Sequence, residues 1–309
     1  MPFVIAVLVA AVLFGTTGTA QALGPDDTTP LGVGAARLVV GGAALGLVGL
    51  VAGSRRQRAR SAAGVPGPTG GGRALALMAL TGLCLALYQP LFFLGTARNG
   101  VAVGTVIALG SAPVLAGLLE WMLTRRRPTS PWLVATALAT VGVALLAIAG
   151  GGSAGADGLG VLGSLGAGGA FAVIANAQRR LIAGGWDAFT VSGAMGVGAA
   201  VCGIAMLPMT DMAWLAQPRG WAMALWLGLA TVAVAYALFT WGLGGLSAAT
   251  AATLTLAEPL TASLLGVALL GERLAPLAMV GLAVLAAGLV LLAVTARSAP
   301  RSVPTPREA

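Results

Sequence analysis

Ten stretches of about twenty predominantly apolar residues follow one another along this chain, and each is long enough to cross a bilayer as a helix. They run over residues 3–23, 31–52, 74–95, 100–123, 131–150, 158–178, 188–207, 220–243, 247–270 and 276–296. In hydrocarbon every backbone polar group must be satisfied within its own segment, so spans of this kind are helical. The breaks between them carry turn chemistry: GPDDTTP over Gly24–Pro30, a Pro/Gly-rich run over 61–72, RRRPTSP over Arg125–Pro131, and a Gly-rich run over 150–158. Two breaks are short, Ala97–Asn99 and Gly244–Leu246, yet the apolar sequence on either side of each is too long for one crossing. The expected fold class is an all-α membrane protein with ten transmembrane helices.

Composition excludes the main soluble alternatives. The chain is 58% apolar and 8% charged, where a soluble domain carries about 25% charged residues. That disfavours a cytosolic enzyme, a nucleic-acid-binding module and a disordered chain. There is no His, and Cys84 and Cys202 lie inside apolar runs, so zinc, haem and Ser-His-Asp chemistry each lack a required residue. No GxxxxGK[ST] loop is present. No metal, no cofactor and no enzymatic activity are expected, and no nucleic acid is expected as a partner. Ala20-Gln21-Ala22 matches a signal-peptidase site, but no positive residue precedes the first apolar run, so that run is read as a retained helix.

All 17 basic residues are Arg. With the N-terminus in the cytoplasm, thirteen of them fall in cytoplasmic segments: Arg55–Arg73, Arg125–Arg127, Arg179–Arg180 and Arg297–Arg307. Only Arg98, Arg219 and Arg273 fall outside, together with Asp26, Asp27, Asp157 and Asp211. Excess basic charge marks cytoplasmic loops. A multi-pass protein of the cell membrane with both termini cytoplasmic is therefore expected.

Sliding the chain against itself by 146 residues places Gly82 on Gly228, Phe93 on Phe239, Pro113 on Pro259 and Gly142 on Gly288. APVLAGLLE at 112–120 then lies over EPLTASLLG at 258–266. Each half contains five spans, an odd number, so the second enters the membrane upside down. The expected organisation is a first repeat over 1–150, a second over 155–297, and a disordered cytoplasmic tail over 298–309. Inverted repeats of this kind build secondary transporters, with the substrate site between the halves near the midplane.

LAEPLTASLLGVALLGERLAP over Leu256–Pro276 contains Glu258-Pro259 and then Gly271-Glu272-Arg273. This stretch resembles the end of an EamA domain, the domain of the ten-helix drug/metabolite transporter superfamily. Thr29-Pro30 followed by Arg37 resembles the family's second-helix entry, and Pro113 holds its fourth-helix proline place. The first-half copy of the Glu-Arg motif departs to Glu120 and Arg125–Arg127. The resemblance implies a metabolite permease, often an exporter of amino acids or other small organic molecules, with a cavity lined by helices including the third, fourth, eighth and ninth.

The candidate substrate-binding or coupling residues are Arg37, Tyr88, Gln89, Pro113, Tyr236, Phe239, Trp241, Glu258 and Pro259. Arg37 and Glu258 are ionisable groups inside spans, where charge is costly unless paired or facing water. Arg37 either snorkels outward or meets a substrate carboxylate or Glu258. Glu258 suits proton coupling, amine binding or a gate, and equally a structural pair. Pro113 and Pro259, at matching places in mid-span, are expected to break both helices at the substrate region. The aromatic residues would shape an amphipathic pocket. Trp132, Trp214 and Trp221 are expected in the interfacial belt, which is also the alternative for Trp241. Asn176 and Gln178 are expected to close the sixth span, and Glu120 to reach the cytoplasmic interface. Expected partners are a small-molecule metabolite, the lipid bilayer and protons as a candidate coupling ion, in a monomer or homodimer. The functional alternatives are a passive small-solute channel and a non-transporting scaffold or sensor.

Overall fold

The structure is a computed structural model, and it describes residues 1–150 and 157–298; the expected tail lies outside the described residues except for Ser298. Among the described residues ten helices are long and apolar enough to span a membrane. They are α1 (Pro2–Ala22), α2 (Pro30–Ala62), α3 (Gly71–Val101), α4 (Val103–Thr124), α5 (Ser130–Ala149), α6 (Gly158–Ala183), α7 (Ala188–Met209), α8 (Pro218–Gly242), α9 (Ala248–Leu270) and α10 (Pro276–Ala296).

Local chemistry sets where these helices begin. Pro30, Pro218 and Pro276 open α2, α8 and α10, a position where the missing N–H costs nothing. Side chains cap others. Thr29 Oγ1 accepts from the Gly32 amide at 3.1 Å, Asp157 Oδ1 from Gly160 at 2.9 Å, and Ser247 Oγ from Thr250 at 3.1 Å. Each satisfies one orphan first-turn donor. The short break between α3 and α4 is one non-helical residue, Gly100, at φ 79° and ψ 155°.

Span order and packing follow the inverted repeat. The left-handed residues that end α4 and α9, Arg125 (φ 58°) and Gly271 (φ 69°), are themselves 146 residues apart. A Cβ on Gly142 of α5 would lie 2.7 Å from Gly281 O and 2.5 Å from Leu285 N of α10. A Cβ on Gly288 of α10 would lie 2.8 Å from Ala135 O and Ala139 N of α5. The repeat maps Ala135 on Gly281 and Ala139 on Leu285, so the two contacts are copies of each other. Gly82 of α3 likewise touches Gly198 of α7, while its counterpart Gly228 of α8 touches Val40 and Gly41 of α2. Small residues are required here because backbones in a membrane associate by close contact rather than by excluding water.

Of the two expected helix breaks, one is corrected and one is found. α4 runs through Pro113 unbroken, since Gly100 is the non-helical residue between Gly71 and Thr124. α9 is broken, at Thr255–Leu256, with its second segment starting at Ala257. There the Leu256 amide bonds Thr253 O and the Glu258 amide bonds Thr255 O, both tight i to i−3 links. The paired breaks are therefore a single break, in the second repeat.

Three further expectations fail for one reason, a long-range partner. Trp132 is buried and donates from Nε1 to Thr253 Oγ1 at 3.1 Å, joining α5 to α9. Trp214 is 1% exposed, packed with Val33, Met223 and Leu227. Neither belongs to an interfacial belt, whereas Trp221 is exposed. Asn176 and Gln178 do not close α6, which continues to Ala183. Asn176 donates to Ala116 O at 3.0 Å, and Gln178 accepts from Thr240 at 3.0 Å.

Candidate functional site

The connections of the bundle define two ends. One carries the Arg-rich segments; the other, Arg-poor, carries the links α1–α2, α3–α4 and α9–α10. A cavity of about 530 Å³ sits in the Arg-poor half and reaches its rim at Pro30 and Val101. It is lined from α1, α2, α3, α4, α6, α8 and α9, and so from both repeats.

Its walls are aromatic. Tyr88 and Phe92, one turn apart on α3, stack at 5.9 Å, and Phe93 meets Phe92 edge-on at 6.0 Å. Phe14 of α1 meets Tyr236 of α8 edge-on at 5.1 Å. Below them Phe239 contacts both Phe171, at 5.2 Å, and Tyr236, at 6.4 Å. Phe14, Tyr88, Phe92, Phe93, Phe171 and Tyr236 line the cavity; Phe239 is fully buried beneath it.

Two charges face this space. Arg37 stands on α2 and Glu258 on α9, and both line the cavity. Among the described residues neither has an ion-pair partner, and Arg37 Nε is buried with no hydrogen-bond partner at all. A guanidinium and a carboxylate cost several kcal/mol each to desolvate, on the order of the penalties known for buried ions. Leaving both unpaired inside one cavity is sustainable only where water or a ligand reaches them. Glu258 also has local support. It occupies the first turn of the second segment of α9, where the helix dipole favours negative charge. Thr255 and Leu256, in the tightened turn beside it, also line the cavity, as irregular backbone at membrane depth must. Gly15 of α1 fixes the approach of this segment: a Cβ there would lie 2.6 Å from Glu258 O.

Of the residues singled out in the sequence, Arg37, Tyr88, Gln89, Tyr236 and Glu258 meet at the cavity. Pro113 and Pro259 are not in its wall, but their neighbours Ala112 and Glu258 are. Trp241 lies away from it, tilted against Phe3 at 4.9 Å. Phe14, Phe92, Phe93 and Phe171 were not foreseen. Replacing Pro259 by Ala restores a backbone donor next to the break, and Thr255 O lies at the right sequence distance to receive it. The variant is expected to insert normally and to transport severalfold more slowly, because a straightened α9 moves Glu258. Undiminished flux in reconstituted vesicles would reduce the proline to an incidental kink.

The model of the EamA-like transporter family matches residues 1–148 and again 158–294. An uncharacterized transporter of Bacillus subtilis (strain 168), YwfM, is 40% identical over 294 residues, covering 94% of this chain and 93% of its own. A protein of known crystal structure, 20% identical, superposes with a TM-score of 0.74 over 96% of this chain and 98% of its own, which establishes the shared fold.

Proposed function

This chain belongs to the EamA-like transporter family, and from that premise we propose that it moves a small zwitterionic metabolite, such as an amino acid, out of the cell by alternating access. The observation that carries the reading is the unpaired Arg37 and Glu258 in one aromatic cavity. A planar guanidinium suits a carboxylate bidentately, and Glu258 suits an ammonium. The aromatic walls suit an apolar body, and the volume falls within the range of about 300–1,000 Å³ typical of small-molecule sites. Protons are the proposed coupling ion, through Glu258.

The cavity occupies one half of the bundle. The other half is filled by buried side chains around Phe239, Leu243, Leu254 and Trp132. A one-sided cavity favours a carrier over a passive channel. With the Arg-rich end in the cytoplasm, the conformation is the one from which an exporter releases its cargo.

Flux in proteoliposomes tests the substrate class. Free amino acids should be carried saturably, and blocking either the amine by acetylation or the carboxylate by amidation should remove transport. Transport that ignores both modifications overturns the zwitterion reading. Orientation is tested separately with cysteines at Gly67 and Gly158, both of which have open space around them. An impermeant thiol reagent should label Gly158→Cys on intact cells and spare Gly67→Cys. The reverse pattern overturns the cytoplasmic placement of the Arg-rich end.

A further inference from the structure

The Arg-rich half contains a contact between the repeats that the cavity does not explain. Glu120, at the end of α4, reaches across to the second repeat, where its Oε2 accepts from the Ala249 amide at 2.8 Å. Ala249 is in the first turn of α9, whose Ser247 cap serves a different amide, that of Thr250. A carboxylate on a first-turn donor is a charge-assisted bond reinforced by the helix dipole. This bond ties the closing end of α4 to the opening end of α9.

The repeat gives this contact a mirror image. It maps Glu120 on Gly266, near the end of α9, and Ala249 on Val103, in the first turn of α4. Gly266 has no side chain, but its place is filled. A Cβ on Gly266 would run into the carboxylate of Glu272, which folds back over it from the turn after α9. The left-handed Gly271 and the bond from the Glu272 amide to Gly266 O, at 3.1 Å, produce this fold-back. Glu272 therefore carries its carboxylate at the position that repeat symmetry assigns to that of Glu120. In this conformation Glu272 is exposed, and the second segment of α9 packs on α1 and α10, while the first packs on the Gly71–Thr124 stretch that holds α3 and α4.

We propose that Glu120 and Glu272 are reciprocal gate residues: Glu120 on the Ala249 amide of α9 closes the Arg-rich end, and Glu272 on a first-turn amide of α4 closes the Arg-poor end in the opposite conformation. One bond breaks as the other forms. Each end is thus sealed by an acidic side chain from one repeat on the helix start of the other, and the cavity is never open at both. This rests on the alternating-access reading above and adds the residues that time it.

The test uses a protein with Cys84 and Cys202 replaced by Ala and a reporter cysteine at Thr17, which lines the cavity. Impermeant thiol labelling from the Arg-poor side reads how often that side is open. Glu120→Ala removes the bond that holds this conformation, and labelling should slow by about tenfold, the scale of one hydrogen bond to a charged group. Glu272→Ala should leave labelling fast but slow substrate flux by a similar factor, since the return conformation loses its seal. The double variant should recover labelling toward the parent rate. Glu120→Gln, which keeps an acceptor oxygen, should fall between the parent and Glu120→Ala. Slowed labelling in both single variants, unchanged labelling in Glu120→Ala, or no recovery in the double variant overturns the reciprocal gate while leaving alternating access in place. Labelling of the parent at equal rates from both sides overturns alternating access itself.

Discussion

Replacing Arg37 by Ala is expected to abolish saturable transport of a zwitterionic substrate, with insertion into the membrane unchanged. Among the described residues Arg37 is the one cation lining the cavity, and its Nε has no partner to lose. Removing one member of a buried charged pair between protein and ligand costs about 2–5 kcal/mol, hence about thirtyfold or more in affinity. Arg37→Lys should recover only part of the loss, since an ammonium offers no planar fork. Arg98→Ala is the control. Arg98 is half exposed and pairs with Asp157 at 3.6 Å, a surface pair worth about 0–1 kcal/mol. Substrate titration of initial flux in the three variants checks the order. Among the described residues the cavity of Arg37→Ala keeps Glu258 as its only charge, so amines without a carboxylate should retain transport. Equal flux in Arg37→Ala and Arg98→Ala would remove Arg37 from the substrate site.

The second large effect is expected at Glu258. Glu258→Gln keeps the shape of the side chain and removes its ability to take and release a proton. The groups facing it across the cavity are Arg37, Tyr88 and Tyr236, and none of them is a carboxyl. If one proton crosses per cycle through Glu258, a gradient of one pH unit sustains about a tenfold substrate ratio, the equivalent of ~1.4 kcal/mol. In Glu258→Gln that ratio should fall to about one. Measuring steady-state substrate ratios in vesicles at several imposed gradients checks this. A variant that still concentrates substrate with the parent pH response would leave Glu258 as a packing residue at the break of α9.

The ten spans and the repeat were legible because length and apolarity are local properties, and the glycines that recur after 146 residues sit where the backbones touch. Arg37 and Glu258 stood out because charge inside a span is rare for a physical reason. The cavity's aromatic wall was not legible in the same way. In a soluble helix the buried face announces itself by periodicity. In these helices lipid and protein interior are equally apolar, so nothing in the pattern separates Phe92, which faces the cavity, from Leu83, which is exposed at the bundle surface. Trp132 and Trp214 misled for a related reason. An indole at a span end suits the interface, and only the fold brings Thr253 to Trp132 from 121 residues away. The break in α9 was anticipated, but the identical proline in α4 was absorbed by an unbroken helix, so proline alone does not locate an unwound segment.

The mirrored contact of α5 and α10 has a practical side. Gly142 meets Gly281 and Leu285, and Gly288 meets Ala135 and Ala139, through backbone atoms. Such a seam is held by fit rather than by water exclusion. Urea and salt, which act on exposed surface and on charge, have little purchase on it. A small amphiphile with a thin, mobile tail competes for the same crevice. The vulnerability of this molecule in a purified sample therefore lies in the detergent that surrounds it, and long-chain, lipid-like solubilisers are the ones that leave the seam intact.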